Sequence, residues 1–233
     1  MTNINNHRNC CGMKMKQYYT FLTAAVFGLA LLSPSHAQDP QGSASAGEKK
    51  IAMCIGCHGI SGYQSSFPEV HKVPMISGQS AAYIAAALQA YKSGERRHPT
   101  MRSVAKGLTD QDMLDVAAYY EQHGKPIQAP AELPAPATQV AQLLEKGGCV
   151  GCHGNNFSQP VSPEFPKIAG QHKDYLYVAL KSYKAGKQAV WGRENAIMTG
   201  IVEQFNANEL KLLAQYLGSQ PGELKVIPQS KFR

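Results

Sequence analysis

Cys54-Ile55-Gly56-Cys57-His58 and, 95 residues later, Cys149-Val150-Gly151-Cys152-His153 are the residues of this chain best equipped for chemistry. Two thiols separated by two residues lie on one turn, and the His after the second thiol shares their face. Each thiol can form a thioether with a porphyrin vinyl group, and the imidazole then reaches the iron. Tether and ligand thus come from one short segment, which is the attachment spacing of c-type haem. Cys-x-x-Cys also serves zinc sites and redox dithiols. Zinc would require the two motifs to converge on one tetrahedral site, although each carries its own His in its own part of the chain. A redox dithiol gives no reason for a His after the second Cys, twice over.

A haem held by one His has an open iron position, and its occupant separates electron carriage from catalysis. Downstream of His153 the chain has a single methionine, Met198. In the first half Met75, Met101 and Met113 compete, and an internal repeat chooses among them. Pro74, Gly78-Gln79, Tyr83, Ile84, Ala87, Leu88, Tyr91 and Gly94 recur 92 residues later as Pro166, Gly170-Gln171, Tyr175, Leu176, Ala179, Leu180, Tyr183 and Gly186. The offset then rises to 97, through a five-residue insertion around Trp191, and pairs Met101 with Met198. Met113 pairs with Leu210 on a core face, and Met75 with Lys167. The expected iron ligands are therefore His58 with Met101 and His153 with Met198. His71, His98, His123 and His172 are rivals, but none recurs at a matched position, so surface or loop roles are expected for them. A His/Met pair makes the iron six-coordinate and low-spin, and the soft thioether favours the ferrous state.

Helices must position these groups. One is expected from Ala46 into the first motif, and Thr138 can cap its counterpart running into Cys149. Tyr83, Ile84, Ala87, Leu88 and Tyr91 have the spacing of one buried helical face, ended by Gly94. A loop with His98, Pro99 and Met101 leads to Thr109, an N-cap with Asp112 three residues on. The helix that follows carries Met113, Val116, Ala117 and Tyr120 inward and stops at Gly124. Pro74 and Pro166 stand where a carbonyl could accept the proximal His N–H; a plain loop proline is an equal reading. The tyrosines of the matched helices and Trp191 suit either haem edges or helical core. No alternating apolar run supports a sheet. The expected fold is all-α: two tandem domains related by duplication, residues 38–124 and 138–233, with a Pro/Ala-rich linker over 125–137 that is stiffer than a Gly/Ser tether.

The first 37 residues resemble an export signal: basic Arg8, Lys14 and Lys16, an apolar run from Phe21 to Leu32, and Ser35-His36-Ala37 as a cleavage site. That run is shorter than the roughly 20 residues of a membrane span. Met13 or Met15 is an alternative start. Of six cysteines, Cys10 and Cys11 fall in this leader and four in the motifs, so no thiol remains for a disulfide. The net charge of +7 includes the leader's three cations, leaving 7 − 3 = +4. Residues 38–124 balance eight Lys/Arg against eight Asp/Glu, whereas residues 139–233 hold eleven against seven. This one-sided charge suits steering toward an acidic protein surface or an anionic membrane, and equally an ordinary solvated face. It is too weak for nucleic acid.

Over residues 46–220 these features resemble class I cytochromes c, and among them the dihaem cytochrome c4 group. The resemblance rests on Cys-x-x-Cys-His, Pro-x-Ile-x-Gly-Gln, the Tyr-containing helix ending at Gly94 or Gly186, the distal Met, and the closing helix with Tyr119-Tyr120 or Tyr216. It implies two all-α domains, each with covalent haem c, ligated by His58/Met101 and His153/Met198 and exchanging electrons across the interdomain contact. It further implies a monomeric periplasmic carrier, in some relatives membrane-associated, that takes electrons from a cytochrome bc1-type complex or a dehydrogenase and passes them to a terminal oxidase. A cytochrome subunit of a flavocytochrome c sulfide dehydrogenase is an alternative, and a dihaem enzyme with a displaceable ligand is a further one. The insertion around Trp191 departs from strict duplication.

Overall fold

The computed structural model describes residues 41–124, 126–188 and 190–229; the leader and its cleavage site lie outside them. In the first half the helices are α1 (Ala44–Glu48), α2 (Ala52–His58), α3 (Ala81–Ser93), α4 (Pro99–Lys106) and α5 (Asp110–Gln122). The second half has α6 (Thr138–Lys146), α7 (Val150–His153), α8 (Lys173–Ala185), α9 (Ala196–Val202) and α10 (Ala207–Ser219). Each half packs its long Tyr-bearing helix against its closing helix, α3 on α5 and α8 on α10. Met113, Val116, Ala117 and Tyr120 are buried on α5, and their repeat partners Leu210, Leu213, Ala214 and Leu217 on α10. Apolar period and burial therefore agree in both halves. No helix among the described residues is long and apolar enough to cross a membrane.

The helix ends follow their capping chemistry. Thr109 and Asp112 form a reciprocal capping box at α5, and Asn206 with Glu209 does the same at α10. Gly94 closes α3 with φ 93°, a left-handed conformation that costs glycine little.

Several local expectations need correction. The helix leading to the first motif is two helices, α1 and α2, because the chain turns at Lys49-Lys50. There Lys50 reaches Asp112 and Asp115 at 2.5 and 2.7 Å, and Ile51 buries itself in the core. The second motif is likewise separated from α6, by Gly147-Gly148, and Ala137 rather than Thr138 occupies the N-cap. Met101 and Met198 sit on α4 and α9, not in loops: Pro99 begins α4, and the Asn195 side chain caps α9 by accepting the Met198 N–H. His71 is buried, its ring 6.2 Å from that of Tyr175 in the other half.

Two short antiparallel ladders occur among the helices. β1 (Gln64–Ser65) pairs with β2 (His71–Lys72) inside the first half. β3 (Arg96–Arg97) pairs with β4 (Gly192–Arg193) across the halves, with Arg96 opposite Arg193. The halves are also joined by Lys181 and Glu69 at 2.7 Å and by the Lys72 N–H donating to Asp174 at 3.0 Å. The five-residue insertion falls between Gly186 and Asn195. Part of the linker lies on the second half, where Pro130 O accepts from Asn156 at 3.1 Å and Ala129 is buried.

Candidate haem-binding site

α2 places Cys54, Cys57 and His58 at i, i+3 and i+4, hence on one face. Cys149 is the N-cap of α7, and His153 its last residue, which repeats the arrangement. All six side chains line one cavity of about 920 Å³ that runs through both halves. The His58 Nδ1–H donates to Pro74 O at 2.8 Å, and the His153 Nδ1–H to Pro166 O at 3.0 Å. Of the two readings open for these prolines, the carbonyl acceptor is the one observed. Each bond fixes the tautomer and leaves Nε2 as the nitrogen available to a metal. Burial holds both imidazoles below the usual histidine pKa, so they rest in the neutral form that ligates metals.

Burial pushes the Cys54 thiol up to about 11 and raises that of Cys149 as well. A redox dithiol needs the opposite, a thiol acidified toward the thiolate. Nor do the motifs converge: among the described residues no group of three or more His, Cys, Asp or Glu is gathered as a metal site. Protonated thiols beside a large cavity suit addition to vinyl groups.

Met101 and Met198 both line the cavity, as do Met53 and Met75, whereas Met113 is buried in the core away from it. His71 and His98 line it too, and His123 and His172 do not. Tyr83, Tyr91, Tyr175, Tyr183 and Trp191 all line the cavity, and Tyr183 and Tyr91 belong to the helical core as well.

The residues that sequence reasoning missed are Arg96 and Arg193. The Arg96 guanidinium lies over the Tyr83 ring at 5.1 Å, and that of Arg193 over the Tyr183 ring at 5.3 Å. Arg193 also donates to the Tyr175 hydroxyl at 3.0 Å. No acidic side chain among the described residues forms an ion pair with either guanidinium. Arg96 and Arg193 both line the cavity with no ion pair to the glutamates that also line it, Glu95, Glu164 and Glu194. Such guanidiniums leave room for anionic partners, and porphyrin propionates fit that need. Their sequence signal is the 97-residue offset they share with Met101 and Met198.

A family model described as Cytochrome c matches the chain twice, over residues 44–123 and 137–221. A cytochrome c4 of Stutzerimonas stutzeri is 30% identical over 213 residues, spanning 84% of this chain and 96% of its own length. A protein of Thiomonas intermedia named thiosulfate dehydrogenase electron acceptor is 29% identical over 186 residues, spanning 76% of this chain and 82% of its own. The solved structure of reduced recombinant cytochrome c4 from Pseudomonas stutzeri has a TM-score of 0.59 and 31% identity, over 77% of this chain and 99% of that one. With a repeated match and a likeness of this extent, the chain belongs to the cytochrome c family, as a dihaem electron-transfer protein of the cytochrome c4 kind with two covalently bound haem c groups.

Proposed function

We propose that this protein is a periplasmic carrier in which Cys54, Cys57, Cys149 and Cys152 would tether the two haems and His58 with Met101, and His153 with Met198, would be the iron ligands. The mature chain starts after a leader cleaved behind Ala37, and residues 38–124 and 138–233 form its domains about the linker 125–137. The observation that carries the ligand assignment is the twofold recurrence of one arrangement. Each motif His donates to a proline carbonyl, and each half offers its repeat-matched Met on a short helix whose Met lines the same cavity.

When bound, the haems supply a one-electron couple. The protein's part is to hold each imidazole by its Nδ1–H, to offer a thioether from Met101 or Met198 in the same cavity, and to line that cavity largely with apolar side chains. Neither ligand has to leave when an electron moves, so reorganisation is small. Substitution of Met101 or of Met198 by Ala is each expected to remove half of the near-infrared Met-to-iron band. A full band in either variant would overturn the ligand choice for that domain.

For partners, we propose a quinol-oxidising complex or a dehydrogenase as donor and a terminal oxidase as acceptor, met by a monomer. The relative named as a thiosulfate dehydrogenase electron acceptor favours a dehydrogenase on the donor side. Isolation at native abundance tests this: co-migration in fixed ratio with a dehydrogenase would replace the mobile carrier with a bound subunit. Cyanide or carbon monoxide binding to either haem at neutral pH would instead support an enzyme.

A further inference from the structure

The Gly-Gln pairs that recur in both halves do more than begin a helix. Gln79 and Gln171 are 3% and 4% exposed, and each amide crosses into the other domain. Gln171 Nε2 donates to Met75 O at 2.9 Å, and its Oε1 accepts the Met75 N–H at 3.1 Å. Gln79 Nε2 donates to Lys167 O at 2.9 Å, and its Oε1 accepts the Lys167 N–H at 3.0 Å. Each Oε1 also accepts the N–H of the next residue, Ser80 at 3.0 Å or His172 at 2.9 Å, so two donors fix which end of each amide is oxygen.

Met75 and Lys167 directly follow Pro74 and Pro166. The Met75 N–H and the Pro74 C=O are therefore two ends of one planar peptide group. One end is held by Gln171 and the other accepts the His58 Nδ1–H. The same line runs from Gln79 through the Pro166-Lys167 peptide to His153. Hydrogen bonds joined through a peptide polarise one another, so a bond at its N–H end makes its carbonyl a better acceptor. A better acceptor gives the imidazole more anionic character and stabilises ferric iron.

From this geometry we infer that Gln171 is a positioning residue for the haem ligated by His58, and Gln79 for the haem ligated by His153. Each domain sets its neighbour's potential through one amide, so the interdomain contact is part of the redox tuning. This rests on the proximal-ligand assignment above.

The test uses full-length holoprotein with Gln171→Met, which keeps volume and removes both bonds, and Gln79→Met. Each haem is followed through its own haem-methyl NMR signals during a redox titration, together with solvent exchange of the His Nδ1 proton. Gln171→Met is expected to raise the potential and speed the exchange at the His58 haem, leaving the His153 haem within error. Gln79→Met should do the converse. Gln171→Asn, which keeps the amide but shortens its reach, should move the same haem in the same direction, and serves if the Met variant does not fold. A larger change at the haem of the variant's own domain, equal changes at both, or no change overturns the inference. The near-infrared band and the His resonances of the unaltered protein report separately on the ligands. If these fail, the assignment falls; if they hold and the variants act otherwise, only the tuning role falls.

Discussion

Met113 has 1% of its surface exposed and lies in the cluster that includes Ile84, Val116 and Ala117. Truncation to Ala would remove packed atoms and leave a void, which costs about 2–5 kcal/mol for a buried Met. Chemical denaturation should show that loss while the Met-to-iron band keeps its full intensity. A lost band at unchanged stability would make Met113 a ligand. The repeat sorted this sulfur from Met101 because a core position follows helical period, and a cavity position need only recur. His71 could not be sorted in this way. Its burial comes partly from Tyr175, 104 residues further along the sequence, and no local pattern carries that contact.

At the scale of elements, the break between α1 and α2 depends on an ion cluster under the first motif. Lys50 bridges Asp112 and Asp115, and Asp115 also accepts the Ser43 N–H at 2.8 Å. The hydrogen bond from Lys50 holds both carboxyls below the usual range, helped by Thr109 at Asp112 and by Ser43 at Asp115. A carboxyl whose folded pKa is depressed adds stability that is fully present above its unfolded value, about 3.9, and that fades as pH falls through the folded value. Thermal melts should therefore show the protein losing stability below about pH 4. Lys50→Met should lower stability at pH 7 and flatten the slope below pH 4; an unchanged slope would mean the cluster contributes nothing. The sequence made the long helices and their caps legible, since period and capping are local. It did not reveal the break, which is set by how closely α1 meets α5. A Cβ on Gly47 would lie 2.1 Å from Asp115 O, so only glycine lets the two helices approach this closely.

At the scale of the molecule, the segment after α10 returns to the first domain. The Lys225 N–H donates to Ser77 O at 3.1 Å, and Gln229 Nε2 donates to the Tyr119 hydroxyl at 2.8 Å. Ile227 lies against Gly124. Glu223 O passes so near Gly78 that a Cβ there would be 2.9 Å away, and φ at Gly78 is 85°, so this crossing also requires glycine. The described tail thus crosses the turn leading into Gln79 and packs the segment after α10 on the first domain. Its pattern is neither helical nor alternating, which hid it from periodicity. Ending the chain at Gln220 would remove the backbone bond, at about 1 kcal/mol, and the burial of Leu224, at about 1.5–3 kcal/mol. These contacts couple the two domains, so their loss weakens that coupling. Calorimetry of the full chain is expected to show a single transition. The shortened chain should show two, with the haem spectra of both domains intact before the first. One unshifted transition in the shortened chain would mean that the amide clamps and the Arg96–Arg193 ladder hold the domains together without the tail.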